Sequence, residues 1–224
     1  MPLGRAVTPT GSERRLQLED IEDLRVYERG RDSYRREVIE LKRRRRVAVG
    51  RLVTLLFENR ETVRFQVQEM VRIEKMLLDE QVQGELDIYN PLIPAPGELS
   101  ATLFVELTSQ ADLREWLGKL VGIERSVELR LGRGDGDDGG AHGRVGGAIK
   151  RETVRSVPEA AHEKTLTREK VTPSVHYLKF LFTPEQVERF ATGPVALAVN
   201  HPAYEEETYL SEDVRNELLT DLRP

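Results

Sequence analysis

The chain has 224 residues, 38% apolar and 33% charged, with a formal net charge of -5 and no cysteine. That length supports one main core, and the lack of cysteine excludes disulfides, thiolate zinc sites, thiolate-ligated iron–sulfur clusters and thiol catalysis. Charge is uneven: residues 1–60 carry 15 Lys/Arg against 10 Asp/Glu, which leaves -10 on the remainder, a basic arm on an acidic body.

Residues 1–15 read as a disordered tail without the apolar stretch of a signal peptide. Ile21, Leu24, Tyr27, Tyr34, Val38 and Leu41 recur at helical steps and predict a helix, broken near Gly30. It ends in Lys42-Arg43-Arg44-Arg45-Arg46, read as a solvated helix end or as pairing with the acidic body, its cations complementing the helix dipole. Leu52–Phe57 reads as a buried strand. Asn59 is placed as the N-cap of a helix of about 20 residues. Its apolar arc holds Val63, Val67, Met70, Val71, Ile73, Leu77 and Leu78. The prolines between Asn90 and Gly97 predict a rigid loop.

The second half repeats itself. Thr102–Leu107 reads as a strand, Ser109 caps a helix to about Val121, and Ser126–Leu131 reads as a strand. Val175–Phe182 is then a strand, Thr183-Pro184-Glu185-Gln186 opens a helix with a capping box, and Val195–Val199 is a strand. A helix follows Ser211. This order predicts an α+β protein with a ferredoxin-like βαββαβ antiparallel sheet and N-terminal helices packed on it. The corresponding divisions are a tail at 1–15, a helical region at 16–100 and the sheet domain at 101–204, with a flexible Gly/Asp-rich insertion at 132–150. A C-terminal helical part spans 205–224.

Gly134-Asp-Gly136-Asp-Asp-Gly139 matches a dinucleotide glycine pattern by letter, but it opens no helix and its acids repel a pyrophosphate. Nucleic acid is set aside as a partner: the basic run points in every direction, and the aromatic spacing of RNA-recognition modules is absent. No apolar run approaches the ~20 residues of a membrane span, so no membrane insertion is expected and a cytoplasmic location fits. No nucleophile elbow, Walker loop or kinase signature is present, which leaves enzyme activity open.

The candidate metal ligands are Glu58, Glu69, Glu74, His176 and His201, an oxygen and nitrogen set suited to iron or another divalent metal. Glu74 falls within the apolar arc, where a carboxylate must be paired, metal-bound or protonated. His176 opens the third predicted strand, near Glu106. A hairpin between the last two predicted strands brings His201 to it, so topology decides whether a two-histidine site forms. The candidate partner surface is the long helix and the following loop, with Arg60, Arg64, Arg72, Tyr89 and Asn90.

Several segments carry a resemblance: Lys42-Arg-Arg-Arg-Arg-Val-Ala-Val-Gly50, Leu56-Phe-Glu-Asn-Arg-Glu-Thr-Val63, Phe65-Gln-Val-Gln-Glu-Met70 and Glu85-Leu-Asp-Ile-Tyr-Asn-Pro-Leu-Ile-Pro94. Leu99–Leu103, Val175-His-Tyr-Leu-Lys-Phe180 and Val199-Asn-His-Pro-Ala-Tyr204 add to it. Over roughly residues 16–222 the chain resembles a bacterial family described as a domain of unknown function. The resemblance implies genes placed near rubrerythrin-like and iron–sulfur oxidoreductase genes, and hence a redox or peroxide-stress setting with a redox protein as partner.

Three functional expectations follow. The first is an accessory or interaction protein in bacterial redox metabolism. The second is a metal-dependent enzyme or metal-binding protein. The third is a small-molecule sensor with its ligand between the sheet and the N-terminal helices.

Overall fold

The computed structural model describes residues 14–132, 152–159 and 172–223. The tail before residue 14, the glycine pattern, His142 and His162 lie outside them, as does the insertion apart from Gly132.

Among the described residues eight strands form one antiparallel sheet: β1 (Arg46–Val49), β2 (Val53–Glu58), β3 (Glu98–Val105), β4 (Val127–Leu131), β5 (Glu152–Pro158), β6 (Val175–Leu181), β7 (Val195–His201) and β8 (Tyr204–Tyr209). Their order is β1-β2-β3-β6-β5-β4-β7-β8, and β1 comes alongside β8, so the sheet nearly closes into a barrel. Closure removes the exposed edges that an open sheet leaves. Tyr204 holds the seam: its hydroxyl donates to the Val49 carbonyl at 2.6 Å and accepts from the Leu52 amide at 3.1 Å.

This replaces the expected βαββαβ arrangement. The four expected strands are β3, β4, β6 and β7, and β3 does pair with β6. However, β5 stands between β4 and β6, while β7 pairs with β4 and β8. Alternation of direction around the sheet makes β3 and β4 antiparallel to each other, as it does β6 and β7. Neither strand–helix–strand segment is therefore a parallel crossover. Three strands were concealed by composition: β1 has only Val47 and Val49 inward, β5 has four polar residues among seven, and β8 has three glutamates in six.

Among the described residues six α-helices accompany the sheet: α1 (Leu24–Arg44), α2 (Arg60–Ile73), α3 (Asp79–Tyr89), α4 (Gln110–Lys119), α5 (Pro184–Thr192) and α6 (Glu212–Leu222). The caps anticipated at Asn59, Ser109 and Thr183 form, and the helix expected after Ser211 takes Ser211 as its cap. Helix α1 runs through Gly30 unbroken. The single long helix after Asn59 is instead a pair. Helix α2 ends at Ile73, and Lys75 adopts a φ of 52° in the turn that sends α3 back along α2.

Two apolar cores result. Phe57, Leu103, Leu129, Phe180 and Leu197 fill the barrel, joined by Val187 and Phe190 of α5 and Leu218 and Leu222 of α6. A second core lies outside the barrel, where Val63, Val67 and Val71 of α2 meet Leu86 of α3, Leu16 and Leu92.

Arg45, from the basic run, is completely buried. Its guanidinium donates to the carbonyls of Phe57 (2.9 Å) and Glu58 (3.2 Å), to Glu217 (3.1 Å) and to Asp221. Of the two readings of the run, pairing with the acidic body holds at Arg45, which ties α6 to the β1–β2 hairpin.

Candidate functional site

Strand β2 is buried at all six positions. Val53, Leu55 and Phe57 enter the barrel core, while Thr54, Leu56 and Glu58 take the other face by strand alternation. That outer face is covered by the α1–α2–α3 layer, which explains a strand without clean polar alternation.

Glu58 ends β2 immediately before the cap of α2. Thr62, in the first turn of α2, donates its hydroxyl to one carboxylate oxygen of Glu58 at 2.5 Å. Thr102 of β3 donates to the other at 2.6 Å. The carboxylate is thereby fixed from two elements, with Glu58 only 8% exposed. Arg45 reaches the backbone of Glu58 but spends its charge on Glu217 and Asp221. Among the described residues Glu58 has no ion-pair partner.

Beside Glu58 opens a cleft of about 230 Å³ between the outer sheet face and the helices. Leu56, Val63, Leu92, Phe104 and Val175 give it apolar walls, and Lys42, Gln66, Tyr89, Thr102 and Tyr177 add polar groups. Burial, reinforced by Tyr89 and Glu58, pushes the Tyr177 hydroxyl up to about 12. Burial also raises Tyr89, against a hydrogen bond with Gln66. Both phenols are therefore neutral at physiological pH and serve as hydrogen-bonding groups. Lys42 sits with its ammonium 5.2 Å from the centre of the Phe65 ring, a cation–π contact. The lining thus combines an anion, a cation, hydroxyls and an apolar floor, which is the chemistry of recognition.

The five candidate metal ligands do not converge. Glu69 joins α1 to α2, accepting two bonds from Arg31 at 2.8 Å and one from Tyr27 at 2.6 Å. Glu74 is exposed at the C-cap of α2, because the helix ends where the apolar arc was expected to continue. His176 is buried beside Glu124 (3.8 Å) and accepts or donates a hydrogen bond with Thr172 at 2.9 Å. His201 is bonded to the Val121 carbonyl at 3.1 Å and the Ala203 amide at 3.2 Å. The hairpin that would join the histidines does not form, since β5 and β4 separate β6 from β7. Glu106 pairs with Arg46 at 2.6 Å instead of meeting His176. Among the described residues no group of three or more His, Asp or Glu side chains is placed to hold a metal ion.

The expected partner-surface residues are largely engaged within the chain. Arg60 pairs with Asp20 at 2.7 Å, Arg64 donates to the Asp20 carbonyl at 2.8 Å, and Arg72 pairs with Glu28 at 2.8 Å. Asn90 bonds both the amide (2.8 Å) and the carbonyl (3.0 Å) of Leu16. Tyr89 lines the cleft. Of the predicted residues, Glu58 and Tyr89 therefore meet at one site. Lys42, Gln66, Thr102 and Tyr177 were missed. Only Tyr177 carried a signal, in the β6 segment that is apolar on both phases. Among the described residues no helix is long and apolar enough to cross a membrane.

Comparison with known proteins agrees with the resemblance read from the motifs. No curated protein matches the chain. A crystal structure described as a novel protein of unknown function from Burkholderia pseudomallei K96243 is similar over 92% of this chain and 98% of that one, at 31% identity and a TM-score of 0.78. The family model described as "Protein of unknown function (DUF3501)" matches residues 15–136 and 141–222, and the chain therefore belongs to the DUF3501 family.

Proposed function

We propose that this protein binds a small organic molecule in the cleft between the barrel and the helical layer, and acts as a sensor or carrier of that molecule. The observation that carries this reading is the buried carboxylate of Glu58, fixed by Thr62 and Thr102 at the edge of an apolar cleft and without an ion-pair partner among the described residues. Buried charges are ordinarily paired, and a ligand is the available source of the missing partner. The cleft is bordered by Val63 and Leu92 of the second core, so a ligand there packs against the helical layer. Its volume of about 230 Å³ falls below the ~300 Å³ at which drug-sized sites begin, which favours a small metabolite.

A thermal-shift screen of a metabolite library against the wild type and Val175→Trp tests this. Tryptophan at 175 fills the cleft, so ligands that raise the melting temperature of the wild type should fail to raise that of the variant. A library in which no compound separates the two proteins would overturn the proposal.

A further inference from the structure

The chemical class of the ligand can be argued from charge placement, resting on the reading of the cleft as a ligand site. Two opposite charges line it. Glu58 is the anion, with each carboxylate oxygen already accepting one hydroxyl. A carboxylate offers about four lone-pair sites, so acceptor capacity remains. Lys42 is the cation, half-buried in the last turn of α1. Its contact is the Phe65 ring, and among the described residues it forms no ion pair. Among the described residues no ion pair joins the two side chains.

The backbone that carries them is braced. Arg45 follows Lys42 by three residues, and its buried guanidinium binds the carbonyls of Phe57 and Glu58. The end of α1 is thereby tied to the end of β2, and each of the two charges sits on a braced element. Preorganised charge of this kind favours a ligand with complementary charges at a matching spacing. A simple cation would satisfy Glu58 and face Lys42 unfavourably, and a simple anion would do the reverse. The apolar walls at Leu56, Phe104 and Val175 suit a hydrocarbon or thioether side chain.

We propose that the cleft takes an amino-acid-sized zwitterion with an apolar side chain, its ammonium against Glu58 and its carboxylate against Lys42. Calorimetric titration of the full chain with L-leucine, L-methionine and L-phenylalanine tests this. Two partial analogues accompany them: isopentylamine, which lacks the carboxylate of leucine, and 4-methylpentanoate, which lacks the amine. At least one amino acid should bind, and the matched partial analogues of leucine should bind at least about tenfold more weakly than leucine where leucine is the ligand. Glu58→Gln should weaken the amino acid by about tenfold or more. Lys42→Met should weaken the amino acid and strengthen isopentylamine, which then no longer faces a cation. Lys42 is half-exposed, so this variant reports even if Glu58→Gln fails to fold, which melting curves of both variants will show.

Equal binding of the partial analogues, or unchanged amino-acid affinity in both variants, would overturn the zwitterion. So would a metabolite of another class that binds and is blocked by Val175→Trp while no amino acid binds, a result that would leave the cleft reading intact. Failure of every compound in both assays would overturn the two together.

Discussion

Thr102 and Glu58 meet diagonally across neighbouring strands: β2 and β3 pair Leu56 with Thr102 and Glu58 with Ser100, yet it is the Thr102 hydroxyl that reaches the Glu58 carboxylate, at 2.6 Å. The diagonal bond turns the carboxylate along the sheet face toward the cleft. Ser100, directly opposite Glu58, keeps a buried hydroxyl without a partner among the described residues. Replacing Thr102 with Val removes one of the two hydroxyls that fix Glu58. Loss of a hydrogen bond to a charged group should cost about 1.5–3 kcal/mol, read as a lower urea midpoint at unchanged slope. A midpoint equal to that of the wild type would show that Thr102 does not restrain Glu58.

Arg45 sets the joint between α6 and the β1–β2 hairpin. Burial pushes the Asp221 carboxyl up, and Arg45 opposes that shift. Arg45→Met strands Asp221 and two backbone carbonyls in the interior, so it should cost about 3–5 kcal/mol in chemical denaturation. Arg43→Met, at an exposed position of the same basic run, should change stability by about 0.5 kcal/mol or less. Equal effects of the two would return the whole run to solvent.

Glu69 is held down to about 2, chiefly by the Arg31 guanidinium, with burial opposing and the Tyr27 hydroxyl assisting. Its folded value lies below its unfolded value of 4.5. Its contribution is therefore complete above 4.5 and fades as pH falls toward 2. Glu69→Gln should be less stable than the wild type by about 1–2 kcal/mol at pH 7, allowing for solvent screening. The gap should narrow in acid, and a gap independent of pH would contradict the assignment.

His176 titrates in the opposite chemical sense with the same outcome. Burial lowers its imidazole below 6.5, against the raising influence of Glu124. The unfolded chain then binds this proton more readily, so stability is complete above 6.5 and is lost as pH falls through the folded value. His176→Gln should show a shallower loss of stability between pH 7 and pH 5 than the wild type, measured by urea titration. Identical slopes would show that His176 is protonated with equal ease in both states.

The turn between α2 and α3 predicts a contrast in mutational cost. Leu86 is fully buried, whereas Leu77 is 80% exposed. Leu86→Ala should cost about 2–5 kcal/mol, and Leu77→Ser about 0.5 kcal/mol or less. A large cost at Leu77 would restore the continuous helix.

Helix starts were legible because their signals are local. Asn59, Ser109, Thr183 and Ser211 each cap a helix through a bond spanning a few residues. The helix break at Lys75 was not legible. No glycine or proline marks it, and the apolar period runs on through Leu77 and Leu78 for reasons the fold does not use. Strand order was hidden for a related reason. Strands β5 and β8 carry polar and acidic residues, so a barrel of eight strands read as a sheet of four. Glu58 was legible only as one of several carboxylates around the helix that Asn59 caps. Its neighbours Thr102 and Tyr177 depend on the pairing of β2, β3 and β6, which is long-range information.

The account turns on whether the cleft beside Glu58 holds a ligand. Native mass spectrometry of the full chain, after incubation with a small-molecule extract of bacterial cells, asks this directly. The account predicts a non-covalent adduct of metabolite mass on the wild type that is absent from Val175→Trp. A bare protein mass for both, or the same adduct on both, would contradict it.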